Sequence, residues 1–296
     1  MKKTVFTGSG VAIITPFNEN GIDFDSLGNL IDFHLNNNTD AIIVCGTTGE
    51  AATMPDEEHL SAIEYTVKRV NKKIPVIAGT GSNDTVHGIK LSKEAERLGA
   101  DALLVVTPYY NKTNKQGLIN HFTAIAESVN IPIILYNVPS RTGMNISLEV
   151  LEELVKIDNI VGIKEASGNA SYLMEVAARF GDRLDIYSGN DDIIVPVMSV
   201  GGKGVISVLA NVLPKETHDI CKLYLDGKTE ESMRLQFKYL DLINTLFCEV
   251  NPIPVKTALN LMGFNVGKLR MPLYEMDEKN KQRLINSLKG AGVKLV

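Results

Sequence analysis

The stretch DALLVVTPYYNKTNKQGLINHFTAIAESVNIPIILYN, residues 101–137, holds two short apolar runs on either side of an amphipathic segment. DALLVVT (101–107) and IPIILYN (131–137) are rich in branched aliphatic residues without polar alternation, the mark of strands covered on both faces. Between them, residues 116–129 read as a helix. Strand, helix and second buried strand make a βα repeat, which belongs to a parallel sheet.

The same unit recurs along the chain. Further apolar runs are GVAIIT (10–15), AIIVCG (41–46), IPVIAGT (74–80), IVGIKEA (160–166), LDIYSG (184–189) and GVISV (204–208). Amphipathic stretches at 56–73, 84–98, 147–157 and 169–180 separate them. In the first of these, Leu60, Ile63, Val67 and Val70 fall on one face, with acidic residues after Pro55 and Lys/Arg at the end, as the helix dipole favours. Eight strand-helix units in series predict a (β/α)8 TIM barrel, an α/β fold. An open doubly wound sheet would carry a GxGxxG turn after its first strand, where Thr15, Pro16 and Phe17 stand instead. After residue 225 the strand signals stop, and 229–248, 252–262 and 277–290 read as helices. The expected organisation is a catalytic barrel at 1–225 and a C-terminal helical region at 226–296.

The 296 residues suffice for one large barrel, and a net charge of -5 argues against a nucleic-acid or anionic-membrane surface, so a small-molecule substrate is expected. The opening MKKTVFTGSGVAIITPF is broken by Gly8, Ser9, Gly10 and Pro16, too short for a membrane span and without a signal-peptide core, so a cytoplasmic location is expected. Cys45, Cys221 and Cys248 lack CxxC or Cys/His spacing and read as free thiols in a reducing compartment. No HExxH or paired Cys/His occurs, so no metal is expected.

In such a barrel the chemistry sits at the carboxyl ends of the strands. GTTGE (46–50) offers backbone N–H groups and the Thr47 and Thr48 hydroxyls to a carboxylate or phosphate, or is a plain glycine turn. TPYYN (107–111) places Tyr109 and Tyr110 in a loop, as proton-relay phenols or packing aromatics. YNVPSRTG (136–143) gives Tyr136 at a strand terminus and Arg141 on a proline-stiffened loop, suited to clamping a carboxylate or forming a surface salt bridge. In IVGIKEA, Lys164 interrupts an apolar strand: either its stem snorkels to water, or the protein needs an amine there to form an imine with a carbonyl. Its neighbour Glu165 points to the opposite face. In SGNDD (188–192), Gly189 permits close approach to the backbone, and Asn190 or Asp191 is expected to cap the next helix.

Taken together, GTTGE, TPYYN, YNVPSRTG, GIKEASG and NPIPVK (251–256) resemble the dihydrodipicolinate synthase family of pyruvate-dependent Schiff-base aldolases, essentially end to end. The resemblance implies a cofactor-free lyase that condenses pyruvate with aspartate 4-semialdehyde, as a homotetramer built from two dimers. It implies that Lys164 forms the imine and Tyr136 is the acid/base beside it, with Thr47 relaying to Tyr110 of a neighbouring subunit. Thr47 and Thr48 would hold the pyruvate carboxylate, Arg141 the semialdehyde carboxylate, and Gly189 and the Ile206 carbonyl would line the pocket. N-acetylneuraminate lyases are similar but generally lack an arginine at the Arg141 position, which favours the synthase over that alternative. A barrel that only binds a keto acid is disfavoured because the lysine, tyrosines, threonines and arginine are all present.

Lysine-sensitive members of that family bind lysine at a subunit interface, to which Ala51, Ala52, Asp56, His59, Asn83, His87 and Tyr109 correspond. His59, Asn83 and Tyr109 fit the pattern. Asp56 stands where sensitive enzymes often have histidine, and His87 where they have a glutamate for the ligand ammonium, so weak or absent inhibition is expected.

Overall fold

The computed structural model describes residues 4–296. Eight parallel strands close into a barrel: β1 (Gly8–Ala12), β2 (Ala41–Val44), β3 (Val76–Gly79), β4 (Ala102–Val106), β5 (Ile133–Asn137), β6 (Ile160–Glu165), β7 (Asp185–Ser188) and β8 (Gly204–Ser207). Each pairs with its sequence neighbour, and β1 pairs with both β2 and β8. Closure brings Gly204 against Gly8, where a Cβ would lie 1.8 Å from the Gly8 carbonyl oxygen, so glycine is required at that φ of +147.

The helices around the barrel are α1 (Phe24–Asn36), α2 (Asp56–Val70), α3 (Thr85–Arg97), α4 (Lys115–Ala126), α5 (Leu148–Leu154), α6 (Ala170–Phe180), α7 (Ile194–Ser199) and α8 (Pro214–Leu225). Side-chain oxygens of Asp23, Asp84, Asn114, Ser147 and Asn169 accept free N–H groups in the first turns of α1, α3, α4, α5 and α6. On α2 the buried face is His59, Ala62, Ile63, Thr66 and Val70. Leu60 and Val67, expected on that face, are only partly buried: small Ala62 and Thr66 bring the helix close to the sheet and move the larger residues to its flanks.

Strand alternation separates two apolar layers. Ile134, Tyr136, Tyr187, Ile206, Ile43, Ile77 and Leu104 fill the barrel, floored by Phe6, while Ile133, Leu135, Ile163 and Ile186 face the helices. The Phe6 ring stacks on Tyr187 at 4.4 Å, and the Tyr187 hydroxyl donates to the Phe6 carbonyl at 2.7 Å.

Beyond the barrel lie α9 (Thr229–Thr245), α10 (Ile253–Leu261) and α11 (Glu278–Gly290). Leu242, Leu246, Val255, Leu259, Leu284 and Leu288 belong to the same apolar cluster as the outer barrel layer. No helix among the described residues is long and apolar enough to cross a membrane. The three cysteines are free, Cys45 and Cys221 fully buried.

Candidate active site

β5 and β6 set Tyr136 directly beside Lys164, and both point into the barrel. The Lys164 Nζ lies 4.3 Å from the centre of the Tyr136 ring, and the residue is 6% exposed. The amine therefore stays inside rather than snorkelling, and the buried carboxyl it acts on is that of Asp191. Below, Tyr187 cannot readily serve as a base, since burial and nearby negative charge push its phenol well above the usual range.

Glu165 does point away from Lys164, as alternation requires. Its oxygens accept from Asn137 Nδ2 at 2.7 Å and from the Ser167 N–H at 2.6 Å. Burial raises its carboxyl, and the hydrogen bonds from Asn137 and from the Ser167 hydroxyl and N–H oppose that.

After β2 the chain turns tightly through 46–50, with the Gly49 and Glu50 amides donating to the Gly46 and Thr47 carbonyls. Cys45 and Glu50, flanking the turn, both adopt left-handed backbone, at φ 55 and 57. Such strain persists only where the surroundings hold it. Here the Glu50 carboxylate meets Lys256 Nζ at 2.7 Å and the Arg270 N–H at 2.9 Å, deep in the protein. Thr47 is left exposed, while Thr48 is buried and its hydroxyl accepts from Asn251 Nδ2 at 3.0 Å.

Arg141 sits on a single helical turn, Pro139–Thr142, ended by Gly143 at φ 66. It is exposed at the mouth, and its Nη2 donates to the Asn251 carbonyl at 3.0 Å. Asn251 thus links the threonine turn to the arginine loop. Asn251 and Lys256 lie in NPIPVK, which follows the last barrel strand by some distance, so the strand ends alone do not reveal their bonds to Thr48 and Glu50. One signal was present: Lys256 interrupts the apolar run IPVKTAL as Lys164 interrupts its own.

On the opposite side, Ile206 is buried within the barrel. At Gly189 a side chain would collide with the Ala166 Cβ at 2.5 Å and the Glu165 carbonyl at 2.9 Å, which accounts for glycine there. The helix-capping expectation for Asn190 and Asp191 fails: neither side chain caps the turn that follows. Asp191 Oδ2 instead accepts from the Val208 and Leu209 N–H groups at 3.0 and 2.9 Å, because β7 and β8 end side by side and the free amides of the next turn lie within reach. Burial raises the Asp191 carboxyl, and Lys164 acts in the opposite direction.

Tyr110 stands 92% exposed at φ 68, so within one chain it is not packed against Lys164 or Tyr136. Tyr109 precedes it at 37% exposed. Nearby, Asn111 Nδ2 donates to the Asn83 carbonyl at 2.9 Å. Ala51 and Ala52 form a 3-10 turn ahead of α2, and His59 Nε2 lies 2.8 Å from the Gly79 carbonyl. Burial lowers the pKa of His59. Asp56 is held between Lys90 Nζ at 2.7 Å and His87 Nε2 at 2.8 Å, and those hydrogen bonds, Lys90 first, bring its pKa down to about 2.

Comparison with known proteins agrees with this geometry. The chain is 60% identical over 292 residues to the 4-hydroxy-tetrahydrodipicolinate synthase of Caldicellulosiruptor saccharolyticus, covering 98% of this chain and 99% of that one. It is 57% identical over 293 residues to the enzyme of the same name from Acetivibrio thermocellus, covering 99% and 100%. Among solved structures, dihydrodipicolinate synthase from Aquifex aeolicus superposes with a TM-score of 0.96 at 45% identity, covering 98% and 99%. The chloride-inhibited dihydrodipicolinate synthase of Acinetobacter baumannii, solved with pyruvate, gives 0.95 at 43% identity, covering 98% and 100%. A family model described as the dihydrodipicolinate synthetase family matches residues 5–291, and the chain belongs to that family.

Proposed function

We propose that this protein is a Schiff-base-forming lyase that condenses pyruvate with L-aspartate 4-semialdehyde to give 4-hydroxy-tetrahydrodipicolinate, in the diaminopimelate route to lysine. The observation that carries the reading is the buried Lys164 amine against Tyr136 at the barrel mouth.

The Lys164 amine adds to the C2 carbonyl of pyruvate and water leaves, giving an imine. Loss of a proton from the adjacent methyl group gives an enamine, whose carbon attacks the aldehyde of the semialdehyde. Attack of the semialdehyde's own amine on the imine carbon closes the ring and expels Lys164 unchanged. Each step moves a proton, and Tyr136 is the group placed to carry it. Thr47 and Thr48 hold the pyruvate carboxylate, Gly189 and the Ile206 carbonyl line the pocket, and Arg141 receives the semialdehyde carboxylate in bidentate fashion. The direct test is borohydride reduction in the presence of pyruvate: a pyruvate-sized adduct on the peptide containing Lys164 is expected, and an adduct on any other lysine would refute the mechanism.

Thr47 passes protons from Tyr136 to Tyr110 of a neighbouring subunit, which requires at least a dimer; a homotetramer of two dimers in the cytoplasm is the assembly and location we propose. The exposure of Tyr110 supports a role completed by a second chain. Tyr110→Phe is expected to reduce kcat by about 100-fold, in line with loss of one proton-transfer group. Co-refolding Tyr110→Phe chains with Lys164→Met chains should restore activity, since a mixed pair contains one site with both groups. No recovery on mixing would place the relay within one chain.

For lysine, Ala51, Ala52, Asp56, His59, Asn83, His87 and Tyr109 make a weak receptor. The Asp56 carboxylate is already committed to Lys90 and His87, so it is not free to bind a ligand ammonium. An inhibition constant in the millimolar range or above is expected, and a value well below millimolar would contradict this.

A further inference from the structure

Asn137 and Glu165 follow Tyr136 and Lys164 on the same two strands and are paired in register one step further on. By alternation they lie behind the site, and both are buried, at 0% and 4% exposed. Asn137 Nδ2 gives one proton to Glu165 Oε2 at 2.7 Å and the other to Asn145 Oδ1 at 2.8 Å. Its own carbonyl accepts from the Ile146 N–H at 3.0 Å, so the main hydrogen-bonding capacity of the amide is in use. The loop that carries Arg141 leaves the barrel at Asn137 and returns at Asn145 and Ile146. Asn137 therefore closes that loop onto its own starting point, and Glu165 fastens the closure to the strand that carries Lys164.

We infer that Glu165 and Asn137 are positioning residues, which set the Arg141 loop at a fixed place relative to the Lys164 amine and so fix where the carboxylate of the second substrate is held. The inference rests on the assignment of Lys164 to pyruvate and Arg141 to the semialdehyde made above. Asn137 and Ser167, the latter through both its hydroxyl and its N–H, donate to Glu165, and a carboxylate with two acceptor oxygens satisfies them together. Without it, Asn137 keeps a buried N–H with no acceptor, which is costly enough to make the amide turn or the loop shift. Arg141 is exposed, so its place depends on the loop backbone and on its bond to Asn251. A displacement of about 1 Å at a substrate-positioning group can cost on the order of 100-fold.

The experiment compares full-length Glu165→Ala, Glu165→Gln and Asn145→Ala with the parent. Glu165→Ala is expected to raise KM for the semialdehyde by about tenfold or more. KM for pyruvate should stay within about twofold, and the borohydride adduct on Lys164 should form as in the parent. Glu165→Gln should fall between them, because Asn137 and the Ser167 N–H meet different oxygens of Glu165 and only one terminal atom of glutamine accepts. Asn145 is exposed, and its replacement removes the acceptor of the second Asn137 N–H while leaving the bond to Glu165 in place, so the semialdehyde KM alone should rise several-fold. If Glu165→Ala does not fold, the other two variants decide. A joint rise in both KM values, or loss of the adduct, would mean that Glu165 supports Lys164 itself and would overturn the inference. So would an unchanged semialdehyde KM in the variants. A parent protein that forms no adduct refutes the underlying assignment instead, a result separable from any difference between variants.

Discussion

Lys164→Met is expected to lower kcat/KM for condensation by at least about 1000-fold, with no pyruvate adduct after borohydride treatment, while the protein remains folded. Methionine is unbranched and of similar length, so it can occupy the channel beside Tyr136 without opening a cavity. Lys164 forms no direct ion pair among the described residues, and the buried Asp191 carboxyl that it acts on keeps the Val208 and Leu209 N–H groups when the lysine is removed. The substitution therefore separates chemistry from folding. Thermal melting should be within a few degrees of the parent, and steady-state rates and intact mass provide the other two readouts. Residual activity within about tenfold of the parent would show that the amine is not the nucleophile.

Lys256→Met is expected to cost about 3–5 kcal/mol, the range for removing one partner of a buried ion pair. The two side chains are each 1% exposed, with Nζ and Oε1 at 2.7 Å. The ammonium also donates to the Lys268 carbonyl at 2.9 Å and lies 4.4 Å from the centre of the Phe17 ring. Burial lowers the Lys256 pKa, and Glu50 opposes this by favouring the charged form. Removing the lysine leaves the Glu50 carboxylate buried with only the Arg270 N–H, immediately after the turn that carries Thr47 and Thr48. The expected readout is a fall of roughly 5–15 °C in Tm together with a higher KM for pyruvate. Combining it with Glu50→Gln should recover much of the stability, because the stranded charge is the main cost. A loss below about 1 kcal/mol in the single variant would mean that the pair contributes little more than packing.

Several parts of this arrangement can be read in the sequence for identifiable reasons. Strands buried on both faces produce near-continuous runs such as IPIILYN, which few other structures require. A lysine in such a run is conspicuous because its burial needs a reason. The helical pattern in the sequence covers α2 to α6 and the three C-terminal helices, and leaves α1, with Gly28 near its middle, the short α7 and α8 to the structure. On α2 the apolar period points to the largest residues, whereas close packing against the sheet selects Ala62 and Thr66. Asp191 looked like a cap for its own helix, but it binds amides that a different strand brings beside it.

The sequence by itself determined the eight strands, their order, and the common mouth for Tyr136, Lys164, Arg141 and the threonine turn. This follows because strand order in a (β/α)8 barrel is chain order, and every strand ends at the same face. Only the tertiary structure decided what holds those groups in place. Asn251 reaches Thr48 across 203 residues of chain, Lys256 reaches Glu50 across 206, and Glu165 reaches Asn137 across 28. Such bonds depend on three-dimensional proximity and on which buried donors lack acceptors, and neither leaves a local period in the sequence. Glu165, which strand alternation could only describe as facing away from Lys164, acquires a place through that network.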